Sequence, residues 1–99
     1  MKRAWLFVLL AGCGPLWGAG VAQRLTHVHD TTVLARQRGA YACDPLLLAQ
    51  AETHAELAQL ELSAGELVRA EREAEMAADR ARQVLAATDR CFPAPAPPR

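Results

Sequence analysis

Three histidines, three cysteines and eleven carboxylates are the side chains with chemistry to offer in this 99-residue chain. His27-Val-His29-Asp30 is the one cluster whose composition invites a metal. On a helix, positions two apart differ by ~200°, so the imidazoles face apart, whereas zinc-binding helices use i, i+4 spacing. Only an extended segment would bring both to one face. The plainer reading is a solvated polar face. His54 has no matching ligand four residues away and is expected at the edge of a helix pair. Glu61, Glu66, Glu71, Glu73 and Glu75 interleave with Arg69 and Arg72, the pattern of a solvated helix with local ion pairs. No nucleophile stands beside a base, and there is no phosphate-binding glycine loop or paired-carboxylate signature. The residues therefore predict no enzyme, no metal and no cofactor.

The N-terminus has the order of an export signal. Met1-Lys2-Arg3 is a positive start, Ala4 to Leu10 is apolar, and small residues follow at once. The boundary Leu10-Ala11-Gly12-Cys13 resembles the lipobox of bacterial lipoproteins. That resemblance implies diacylglycerol on the Cys13 sulfur, removal of residues 1–12 and a membrane anchor. Gly14, rather than Asp, after the cysteine is compatible with sorting to the outer membrane. Two other readings stay open. Ala4 to Ala22 approaches the ~20 residues of a spanning helix, although Gly12, Gly14, Pro15, Gly18 and Gly20 interrupt it. Cleavage after Ala22, with Gly20 and Ala22 as the small residues, would release a soluble protein beginning at Gln23.

Assigning Cys13 to lipid leaves Cys43 and Cys91 as a pair in an oxidising compartment. A bridge would close a loop of roughly fifty residues, worth ~4 kcal/mol in the chain-entropy model. The competing reading is two free thiols. Charge excludes one class of partner. Acidic and basic residues balance at eleven each, and loss of Lys2 and Arg3 would leave the remainder slightly acidic. No basic face for nucleic acid is present.

The elements that must position these residues read as helices. Ala, Leu, Glu and Arg dominate from Leu46 to Ala87, and strand signals are nearly absent. Asp44 can cap, and Pro45 suits the first helical position. Behind them Leu48, Ala51, Ala55, Ala58 and Leu62 draw one stripe along a helix over about 45–62. Gly65 supplies the turn. Leu67, Ala70, Ala74, Ala77, Ala81, Val84 and Thr88 draw a second stripe, on a helix over about 66–87. Together they predict an all-α antiparallel helical hairpin. Val21, Leu25, Val28, Thr32 and Ala35 predict a third, N-terminal helix over 21–37, able to pack on a further edge formed by Leu46, Leu57 and Leu60. Residues 13–20 read as a flexible tether, 21–91 as the helical domain and 92–99 as a proline-rich tail. With the turn centred near Ala64, Cys43 is level with about Leu85. A helix continuing to Cys91 would overshoot by ~9 Å. The bridge is therefore expected to need a second helix that ends near Ala87 or Thr88.

The stretch from Arg38 to Glu52, followed by an alanine-rich helix, Gly65 and a second helix, resembles a family of small helical periplasmic lipoproteins of unknown function. Related segments also precede OmpA-type peptidoglycan-binding domains. The likeness covers about Thr31 to Ala87 and rests on Gly39-Ala40, on Pro45 with Leu48, Ala49 and Ala51, and on Gly65 with Ala70, Ala74 and Ala77. The same glycine and alanine spacing is similar to one tetratricopeptide hairpin, although such arrays need about three repeats. The expectation is thus a lipid-anchored envelope protein on the periplasmic side, held to the membrane through Cys13. Its hairpin would serve a structural or protein-interaction role, with an unidentified envelope protein or a second copy as partner. The alternative is a soluble periplasmic ligand- or metal-binding protein cut after Ala22.

Overall fold

The computed structural model describes residues 16–93, with side-chain surroundings from residue 18 onward. Four helices account for nearly all of them: α1 (Leu16–Gln37), the single turn α2 (Ala40–Cys43), α3 (Pro45–Ser63) and α4 (Leu67–Cys91). The fold is all-α. The chain runs up α1, down α3 and up α4, so α3 is antiparallel to both neighbours.

Local chemistry sets the helix ends. Asp44 accepts a hydrogen bond from the Leu47 N–H at 3.0 Å, and Pro45 follows at the first position, where its missing donor leaves nothing unpaired. At the far end of α3, Gly65 adopts φ +78°. This lets the Glu66 N–H reach the Glu61 carbonyl at 2.9 Å and the Gly65 N–H reach that of Leu62 at 3.1 Å. The crossed pair satisfies two carbonyls that the helix end would otherwise strand.

Gly39 ends α1 in the left-handed region, with φ +103°. A Cβ there would stand 2.8 and 2.9 Å from two carbons of the Phe92 ring. Gly39→Ala is therefore expected to lower stability by about 1–3 kcal/mol in urea unfolding, combining left-handed strain with the clash. Repeating the substitution with Phe92→Ala should recover the steric part and leave the backbone part. A full cost that survives removal of the ring would refute the clash.

The core is a ladder of alanines with a few larger residues. Val21 and Leu25 of α1 pack with Ala58, Ala70 and Ala74 at one end. Val28 meets Ala51, Ala77, Ala78 and Ala81 in the middle. Ala35, Ala40, Leu48 and Val84 close the other end. The stripes expected on α3 and α4 are thus the ones that face inward, and so is the stripe on α1. Small side chains let the axes approach closely, because interaxial distance follows the residues at the contact. They also bury little area each, at ~0.8 kcal/mol per methylene. Thr88 is fully buried yet satisfied, since its hydroxyl donates to the Val84 carbonyl at 2.7 Å.

Three expectations need correction. Residues 13–20 are not a tether throughout, because α1 is already helical at Leu16. Gly18 lies inside α1, against the α3 side chain of Leu62. Packing there offsets its poor helix propensity. The edge of Leu46, Leu57 and Leu60 does not receive α1. Leu46 and Leu60 are each 69% exposed, because α1 instead enters the alanine groove shared by α3 and α4. Finally, α4 does not stop at Ala87 or Thr88 but continues to Cys91.

Candidate functional site

The chemistry-bearing residues fall into a clamped end, a set of pairs between helices and an outward face. At the clamped end Cys43 and Cys91 are disulfide-bonded, with Cα atoms 6.0 Å apart. Helix α4 reaches Cys91 without preventing this. Core neighbours place the hairpin centre at Gly65: Ala58 lies with Ala70 and Ala74, Ala51 with Ala77 and Ala81, and Leu48 with Val84. Cys43 is therefore level with Ala87, whose carbonyl oxygen lies 3.3 Å from its sulfur. A bridged sulfur has no hydrogen to donate, so that approach is packing. Cys91 sits four residues beyond Ala87, about 6 Å along the axis, and the bridge spans that turn. Asp44 and Pro45 start α3 directly after Cys43, so the clamp joins the α2–α3 junction to the last turn of α4.

Charged side chains tie the helices pairwise. Arg36 of α1 donates through Nη2 to both carboxylate oxygens of Glu52 on α3, at 2.6 and 2.9 Å. Arg24 pairs with Glu75 at 3.5 Å, and Arg38 with Asp89 at 3.0 Å, both joining the α1 side to α4. His54 Nδ1 of α3 lies 2.6 Å from Glu73 Oε2 of α4, and both side chains are largely shielded. Pairs as exposed as the arginine ones contribute ~0–1 kcal/mol each; their main effect is on register. Glu66 does pair locally with Arg69, at 3.3 Å. Glu73 and Glu75, expected to pair within their own helix, instead pair with His54 of α3 and Arg24 of α1. His54 thus has a partner nineteen positions away, and only the hairpin register could have revealed it.

His27 and His29 both lie exposed on α1 and are separated around the helix. Among the described residues no three His, Cys, Asp or Glu side chains gather as a metal site. Between α1 and α3 an open groove of about 540 Å³ is lined by Leu25, Thr26, His29, Gln59, Leu62 and Ser63. Its lining contains no Asp, Glu, Lys or Arg. No helix among the described residues is long and apolar enough to cross a membrane. Cys13, the leader 1–12 and residues 94–99 lie outside the described residues.

What the fold and these features define is a disulfide-clamped three-helix bundle with an apolar face left outward on α3. Comparison with protein-family models, curated proteins and solved structures produced no match.

Proposed function

We propose that the chain is a lipid-anchored envelope lipoprotein, modified on Cys13, whose helical bundle is a structural or protein-interaction module facing the periplasm. The observation that carries this reading is the leader Met1 to Gly12 running directly into Cys13. Two features of the fold support it. The bridge between Cys43 and Cys91 suits an exported chain and accounts for the two cysteines that lipid does not use. Val21 is 8% exposed in the core, and Gly18 lies against Leu62. Cleavage after Ala22 would strip both from the bundle, whereas cleavage ahead of Cys13 keeps all of α1. This favours the lipoprotein over the soluble alternative.

Because α1 is already helical at Leu16, three residues after Cys13, lipid on that cysteine would hold this end of α1 close to the membrane. Mass spectrometry of the mature protein should find an acylated N-terminal Cys13, and Cys13→Ala or globomycin should make unprocessed precursor accumulate. A mature chain that begins at Gln23 without acyl mass would replace this reading with the soluble one.

A further inference from the structure

Helix α3 has two apolar faces, and the bundle uses one. Leu48, Ala51 and Ala58 point inward and are fully buried. On the other side Leu46 is 69%, Leu57 39% and Leu60 69% exposed, with Ala49 and Thr53 also exposed between them. At ~100° per residue these five fall within roughly 80° of arc. An outward stripe of this kind gains nothing within the bundle.

We propose that this face pairs two copies of the chain, α3 against α3, antiparallel about a two-fold axis at Thr53. The stripe is self-complementary in that arrangement, as a two-fold contact requires. Leu46 meets the partner's Leu60. Ala49 meets the partner's Leu57, small against large. Gln50 meets the partner's Glu56, amide against carboxylate, and the short Thr53 side chains sit where the axes cross.

Charge selects the orientation. Helix α3 carries Glu52, Glu56 and Glu61 and no Lys or Arg. A parallel, in-register pair would set Glu56 beside the partner's Glu61 across the flank of the seam, a like-charge contact; the antiparallel pair avoids it. The area is sufficient. Covering this stripe over about four turns would bury roughly 500 Å² per copy, ~1,000 Å² in all, at the lower limit for a specific interface. The dimer is therefore weak and concentration-dependent, and confinement of tethered copies to one membrane would favour it.

This inference deepens the interaction-module reading and rests on it, but not on lipid at Cys13. Antiparallel pairing puts the two α1 starts at opposite ends, so a lipid-bound dimer would lie along the membrane.

The test is crosslinking of the full chain in intact cells with a short bismaleimide, which spares the bridged Cys43 and Cys91. Chains without an added cysteine serve as the blank. Thr53→Cys alone, and Leu46→Cys co-expressed with a differently tagged Leu60→Cys, should each give dimer. Leu46→Cys alone or Leu60→Cys alone should give at least fivefold less. Leu57→Glu added to Thr53→Cys should cut the dimer at least tenfold while circular dichroism stays unchanged. Equal dimer from Leu46→Cys alone would overturn the antiparallel pairing. No dimer from any variant, or capture of a different protein instead, would overturn the self-association. Mass spectrometry of the same samples reports acylation separately, so failure of the anchor and failure of the dimer give different results.

Discussion

Leu48→Ala should destabilise the bundle by about 2–5 kcal/mol, a fall in melting temperature of roughly 10–40 °C for a domain of this size. Leu48 is 1% exposed and the largest of the fully buried side chains. Its fully buried neighbours are Ala35, Ala40 and Val84, with the partly buried Leu47 and Leu85 packed against the cluster; the buried three are too short to fill the space it would leave, and the nearby disulfide restrains collapse of the surrounding backbone. The cost of a cavity depends on how far a site can close, so this substitution belongs at the costly end of its class. Leu46→Ala, two residues away, is the internal comparison. Leu46 is 69% exposed, and in dilute protein its loss should shift stability by no more than ~0.5 kcal/mol. Urea unfolding of both variants measures the contrast. Equal effects would mean that α3 is rotated relative to the packing described above.

Cys43→Ala with Cys91→Ala should cost about 2–5 kcal/mol, centred near the ~4 kcal/mol of loop-closure entropy. The bridge closes a separation of 48 residues, so it constrains most of the described chain when unfolded. It also matters more here than in a bundle rich in leucine and phenylalanine, because alanine burial contributes so little per residue. Thermal unfolding with and without reductant provides the check. Wild-type protein should lose stability on reduction, and the double variant should be insensitive. A difference under about 1 kcal/mol would show that the alanine core suffices alone.

The helices and their inward stripes were legible because periodicity and end signals are local. Asp44-Pro45 and Gly65 fall where capping and turn chemistry require them. From Gly18 onward, the buried positions of α1 are the same five that its three- and four-residue spacing picks out. Legibility failed wherever two elements had to be set against each other. The Cys43–Cys91 bridge was expected to demand an early end to α4. A centre at Gly65, together with a bridge that spans one turn, removes that demand. The partners of His54 and Glu75 were hidden for the same reason, since Glu73 and Arg24 are neighbours only in space.

By itself the sequence determined an all-helical chain, the inward face of each helix, and the caps and turn that separate them. It also placed Cys13 behind an export-like leader. These follow from interactions within a few residues, which any chain of this pattern makes. Only the tertiary structure decided that α1 enters the alanine groove, that α4 runs on to its cysteine, and that the Leu46, Leu57 and Leu60 edge of α3 is left facing out. The physical reason is that α3 offers two apolar faces and the bundle has room to bury one. The alanine face wins because it lets three backbones approach closely on one seam.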